Sequence, residues 1–277
     1  MKIGLVQMDI HWENIGQNME RSEKFFVRGK NNKVEILVFP EMTLTGFSMN
    51  ADILGSSWQR QVDFFRSMSR KYGITAVFGY IMPVPDRDLA LHPHWNRYYN
   101  MLGIAVDGEL QLQYAKIHPF TFGLEAGTYQ GGENIQTMDW KGTGLGAFVC
   151  YDLRFPEIFQ ISSDESEVIF VISNWPGKRV EQMDRLLAAR AIENQVYIVG
   201  VNRVGEGDGL IYNGHSAVYG PTGERLTALS EEEALITAEI DLESLRRLRD
   251  SFPLKADRRE VLYMKLWNEK LQQHKEK

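Results

Sequence analysis

The stretch "GLGAFVCYDLRFPE", Gly144 to Glu157, holds Cys150, the only cysteine in 277 residues. It also marks where an apolar run gives way to charged residues. Comparable runs recur along the chain: "KIGLVQM" (2–8), "VEILVFP" (34–40), "ITAVFGYIM" (74–82), "EVIFVIS" (167–173) and "VYIVGVN" (196–202). They are rich in Val, Ile and Phe and lack clean alternation, as strands covered on both faces do. Helical patterns separate several of them. "SSWQRQVDFFRSMSRKYG" sets Trp58, Val62, Phe65 and Met68 on one face and stops at Gly73, a candidate C′ glycine. "KRVEQMDRLLAARAIENQ" spaces Val180, Met183, Leu186, Leu187 and Ala191 helically. Hairpins are expected at Asp107-Gly108 and at Pro221-Thr222-Gly223. The chain therefore reads as α/β with a mixed sheet. No repeat, low-complexity tract or linker interrupts it, so one domain over 1–277 is expected.

The net charge of −6 argues against nucleic acid as the main partner, because phosphate binding needs a basic footprint. A lone cysteine excludes an internal disulfide and fits a reducing cytoplasm. The opening "MKIGLVQMDIHWEN" lacks the pattern of a signal peptide, and no window reaches the ~18 apolar residues of a membrane span. The tail "RREVLYMKLWNEKLQQHKEK" reads as an amphipathic segment that docks on the body or on a partner subunit, with its last residues frayed.

The ends of the apolar runs carry the candidates for chemistry, since loops beyond strand ends hold the site in many α/β folds. "VEILVFPE" ends in Glu41. A partly desolvated carboxylate there suits a general base; a surface cap or ion pair is the plainer alternative. "LQLQYAK" ends in Lys116, which is either a solvated strand end or a cation beside a reactive group. Cys150 is either a small core hydrophobe or a nucleophile. If the three converge, Cys150 attacks, Glu41 moves protons and Lys116 stabilises the developing negative oxygen, as an acidic, accessible thiol beside a lysine would allow.

"LVFPEMTLTGF", "YAKIHPF" and "VCYDLRFPE", in that order, resemble the motifs of the nitrilase superfamily of carbon–nitrogen hydrolases, and "SNWP" and "LLAARAIENQVYIVGVNRVG" extend the resemblance. The resemblance implies a four-layer α-β-β-α sandwich with two mixed sheets, self-association into a homo-oligomer, and cofactor-free, metal-free attack by a thiol on an amide, nitrile or carbamoyl carbon. It casts Glu41, Lys116 and Cys150 as the catalytic set and the backbone N–H of Tyr151 as a second oxyanion donor. Glu125, in "FGLEAGTYQGG", matches the family's second glutamate, with Glu133 as a rival in the same loop.

"CYDLRFPE", "NWP" and "RAIENQVYIVGVNRVG" look most like the ω-amidase-like branch, which removes ammonia from monoamides of small dicarboxylic acids such as 2-oxoglutaramate. On that resemblance Arg154 receives the far carboxylate or else pairs with Glu157, while Asn174 and Trp175 line the pocket. Other readings are an N-carbamoyl amine hydrolase or nitrilase of the same superfamily, a papain-like protease using His118, and a non-catalytic binding protein. His92 and His94 have His-x-His spacing but no evident third ligand, and read as a solvated loop. "GEGDG" (205–209) lacks the dinucleotide frame and reads as a turn. Arg190, Glu193 and Asn194 read as a helix-face network supporting the core or a subunit contact.

Overall fold

The apolar runs become strands in the computed structural model, which describes residues 1–275. In chain order these are β1 (Lys2–Gln7), β2 (Ile36–Val38), β3 (Thr75–Pro83), β4 (Tyr98–Val106), β5 (Glu109–Ala115), β6 (Thr137–Trp140), β7 (Thr143–Val149), β8 (Val168–Ser173), β9 (Tyr197–Asn202), β10 (Val204–Gly207), β11 (Leu210–Asn213), β12 (Ala217–Tyr219) and β13 (Ala234–Glu239). One sheet has the order β13-β1-β2-β3-β4-β5 and the other β12-β9-β8-β7-β6. Both are mixed: β1, β2 and β3 pair in parallel, as do β7, β8 and β9, and antiparallel strands close the edges. β1 packs on β9 and β4 on β7. Trp140 Nε1 donates to Thr75 Oγ1 at 2.9 Å, bonding β6 to β3.

Helices cover the outer faces. Trp58–Tyr72 packs on β3 and β4 with Ile15–Asn31 beside it, and Val180–Asn194 packs on β9 and β12. The result is the four-layer α-β-β-α arrangement. Phe65 stacks on Phe78 at 4.2 Å, joining helix to sheet with the offset geometry that aromatic pairs favour. Gly73 ends its helix in the left-handed region at φ 63°, as a C′ glycine does. Asp107 and Gly108 both take positive φ, the condition for the tight turn between β4 and β5.

The second expected hairpin forms only in part. Beyond β12 the return arm makes a single bridge, Tyr219 to Arg225, and Pro221 has no amide N–H with which to extend a ladder. A different hairpin forms instead. "GEGDG" is the tip of the β10–β11 ribbon, which pairs Gly205 with Tyr212 and turns at Asp208-Gly209.

Met1–Leu242 forms one compact unit; from Glu243 onward the chain clusters as a second, made of the helices Leu242–Ser251 and Glu260–Lys275. The frayed end expected for the tail falls partly on residues 276–277, outside the described residues. Among the described residues no helix is long and apolar enough to cross a membrane.

Candidate active site

Strand ends from both sheets deliver the reactive groups. Pro40 and Glu41 follow β2, Lys116 follows β5 and Cys150 follows β7. Lys116 and Glu41 are 1% and 0% exposed, and Lys116 Nζ donates to Glu41 Oε1 at 3.1 Å. The same ammonium donates to both carboxylate oxygens of buried Glu125 at 2.8 Å. Asn100, on β4, lies between the carboxylates and donates Nδ2 to Glu41 Oε1 at 2.7 Å and to Glu125 Oε1 at 2.9 Å. Phe120 N–H adds a bond to Glu125 Oε2 at 2.6 Å. Glu133 lies apart, beside Asp88 and Tyr99 in a separate surface groove.

Glu41 is held from the other sheet as well. Just past β8, Asn174 donates its backbone N–H to Glu41 Oε2 at 2.7 Å and its Nδ2 to the Glu41 carbonyl at 2.7 Å. Asn174 lines the cleft, but its side-chain N–H is already engaged in holding Glu41. The turn after Glu41 is pinned to β3: Thr43 N–H donates to the Gly79 carbonyl at 3.0 Å and Gly79 N–H to Thr43 Oγ1 at 3.1 Å.

Cys150 opens a 3₁₀ turn, Cys150–Arg154, with φ 49°. Left-handed backbone is costly for a residue with a Cβ and persists where its surroundings impose it. Asp152 supplies part of that constraint. Its buried carboxylate accepts from Val149 N–H at 3.1 Å, Tyr114 O–H at 2.8 Å and His118 N–H at 3.0 Å. Arg190 Nη2 donates to the Leu153 carbonyl at 2.8 Å from the neighbouring helix. The network of Arg190, Glu193 and Asn194 thus reaches the turn that carries the thiol. His118 bonds Asp152 through Nδ1 at 2.8 Å and stacks on Phe155 at 3.7 Å; it does not line the cleft that holds Cys150.

The electrostatics correct one expectation. Burial pushes the Cys150 thiol well above its ordinary value, and Glu41 and Glu125 push it further; Lys116 and the Asn174 N–H offset this only in part. The thiol is therefore not acidic, because burial and the two carboxylates together outweigh the single ammonium beside it. Burial lowers the Lys116 pKa, but Glu125, Glu41 and Cys150 outweigh it and raise the pKa above that of an ordinary lysine. Burial raises the Glu125 carboxyl and Glu41 adds to the rise, against the pull of Lys116 and Asn100.

A cleft with about 480 Å³ of empty space, part of it open to solvent, lies over Cys150. Tyr151 and Trp175 help to line it, and Arg154 extends over the Trp175 ring at 4.9 Å. Arg154 bonds the neutral Gln182 at 2.8 Å rather than Glu157. Trp175 is buried and bonded at both ends, its N–H to Asn202 and its Nε1 to the Arg179 carbonyl. Sequence reasoning missed Asn100, Asp152, Arg179 and Tyr212. Arg179 could have been found from its position three residues after Pro176; Asn100 and Tyr212 lie within strands and give no local signal. Among the described residues no cluster of His, Cys, Asp and Glu could hold a metal ion.

The chain is similar to "2-oxoglutaramate amidase" of Bacillus subtilis (strain 168), 30% identical across 94% of this chain and 98% of the relative. It is 32% identical to "Omega-amidase YafV" of Yersinia enterocolitica across 91% and 94% of the two chains. A crystal structure of a CN-hydrolase superfamily protein from Xanthomonas campestris, with an arsenic adduct in its active site, superposes with a TM-score of 0.84 at 29% identity, covering 94% of this chain and 97% of that one. The model of the carbon-nitrogen hydrolase family matches residues 2–250. With nine-tenths of its length matched, the chain belongs to the carbon–nitrogen hydrolase family, enzymes that hydrolyse carbon–nitrogen bonds other than peptide bonds.

Proposed function

We propose that this enzyme is an amidase that releases ammonia from the terminal amide of a small dicarboxylic acid monoamide such as 2-oxoglutaramate, through a thioester on Cys150. The observation that carries the reading is the buried Glu41–Lys116–Glu125 cluster, whose Lys116 lines the cleft that also holds Cys150.

Glu41 takes the thiol proton as sulfur adds to the amide carbon. A thiol kept protonated at rest needs such a base at the moment of attack. Lys116 and the Tyr151 N–H, at the start of its 3₁₀ turn where amides lack helical partners, stabilise the tetrahedral oxyanion. Glu41 returns the proton to the departing nitrogen, the C–N bond breaks and ammonia leaves. Water then adds to the thioester with Glu41 taking its proton. The C–S bond breaks, the sulfur recovers a proton and the acid departs. Glu125 orients Lys116 through both oxygens.

Charge supports the substrate class. Lys116, Arg154 and Arg179 line the cleft and no carboxylate does. Among the described residues Arg154 has no acidic partner, and it suits a substrate carboxylate. The relatives named for 2-oxoglutaramate and ω-amide hydrolysis fit the same class. An ammonia-release assay across 2-oxoglutaramate, glutamine, an N-carbamoyl amino acid and a simple nitrile tests it. Turnover of 2-oxoglutaramate well above the others is expected; turnover of the nitrile or the carbamoyl compound alone overturns it.

A further inference from the structure

The β10–β11 ribbon carries Tyr212 to the cleft wall. The Tyr212 ring is buried, and its hydroxyl, which makes no hydrogen bond to a described residue, keeps some exposure. A hydroxyl that the protein leaves unbonded at a cleft wall can donate to a bound molecule. The ring is fixed from behind. Arg203, 0% exposed, lies 4.7 Å from the ring centroid. The guanidinium is tied to the Ile10 carbonyl at 2.9 Å, the Glu206 carbonyl at 2.8 Å and Asp9 at 3.3 Å. A cation held against the ring face adds attraction to packing. The ring therefore has a set position on the wall of the cleft.

The groups around Cys150 bond one another and none bonds Tyr212. The ribbon instead abuts the short turn Gly177–Arg179, which brings Arg179 to the same wall. The two are so close that a Cβ on Gly177 would lie 2.0 Å from Asn213 Oδ1, next to Tyr212. Burial, opposed by Arg203, pushes the phenol up to about 12, with Glu41 and Cys150 adding to the rise. The hydroxyl thus stays a donor throughout the neutral range.

We propose that Tyr212 is a specificity-determining residue whose hydroxyl donates to an oxygen at the far end of the substrate, the end remote from the amide, on the wall it shares with Arg179. The inference rests on the dicarboxylic monoamide reading given above. The scissile amide is served by Lys116, Tyr151 and Glu41, whereas Tyr212 and Arg179 serve the acid end.

Tyr212→Phe removes the hydroxyl and keeps the ring against Arg203. Steady-state kinetics of wild type and Y212F are compared on 2-oxoglutaramate and on butyramide, a neutral amide without the acid end. A hydrogen bond to a charged group is worth about 1.5–3 kcal/mol, so kcat/KM on 2-oxoglutaramate is expected to fall about tenfold to a hundredfold, mainly through KM. On butyramide Y212F is expected to match wild type, which also certifies that the variant is folded. Equal loss on both amides, or no loss on either, overturns the proposal while the wild-type preference for 2-oxoglutaramate stands. Absence of that preference in wild type overturns the substrate reading and this inference with it.

Discussion

The two ends of the cleft are built on opposite rules. At the reacting end the protein answers most of its own polar groups: Lys116 is bonded to Glu41 and Glu125, Asn100 bridges the same carboxylates, and Asn174 holds Glu41 from the facing sheet. The Oδ1 atoms of Asn100 and Asn174 are left without partners among the described residues. At the far wall, among the described residues, Arg154 and Arg179 have no carboxylate partner and the Tyr212 hydroxyl has no hydrogen-bond partner. The contrast separates two tasks. Chemistry needs groups oriented before substrate arrives, which a closed network provides. Selection needs groups that a ligand satisfies better than water does, which an open set of donors provides.

Substitutions at the two ends sharpen this division. Lys116→Ala is expected to have the largest effect. Loss of one oxyanion donor lowers kcat about 10²–10³-fold. Glu41 and Glu125 would also face each other without the cation, adding a loss of about 3–5 kcal/mol typical of a broken buried pair. Turnover should therefore fall at least about 10³-fold on acidic and neutral amides alike, with a lowered melting temperature. A modest loss confined to acidic amides would break the division. Arg154→Gln should act on the other side, lowering kcat/KM on 2-oxoglutaramate about tenfold to a hundredfold and leaving butyramide unchanged. Equal effects on both would move Arg154 to the reacting end.

The smallest effect concerns pH. Free thiols titrate near about 8.5. The Cys150 thiol lies above its ordinary value, so its reactive thiolate is scarce at neutral pH and grows as pH rises. Alkylation of the resting enzyme by an uncharged reagent should therefore climb past about pH 9 without a plateau near neutrality. A plateau between about pH 6 and 7 would show an acidic thiol and a cluster dominated by Lys116.

The division also explains what was legible beforehand. Glu41, Lys116 and Cys150 each end an apolar run, and a reactive group at a strand end is visible in one dimension. Glu125 was placed by resemblance, and the fold brings it to Lys116 rather than leaving it with Glu133. Asn100 was invisible because its role depends on β4 lying beside two loops distant in sequence. Asp152 looked like one more charge in "YDLRF", yet it bonds Tyr114 and His118 from another sheet. Tyr212 belongs to a four-residue strand too short to show a period, in a ribbon whose tip reads as a plain turn. The expectation of an acidic thiol failed for a related reason: counting Lys116 from the sequence leaves out the burial of the thiol and the carboxylates folded around it.

The pinning of Glu41 to β3 has a consequence for which residues this fold can vary. Gly79 touches no substrate, but a Cβ added to it would lie 2.3 Å from Met42 N and 2.8 Å from Glu41 Cα. Both contacts are backbone, so no side-chain rotation relieves them. The absence of one methyl group on the neighbouring strand therefore sets how near the loop that carries Glu41 lies to the sheet. That spacing depends on a position that a search for reactive residues would pass over.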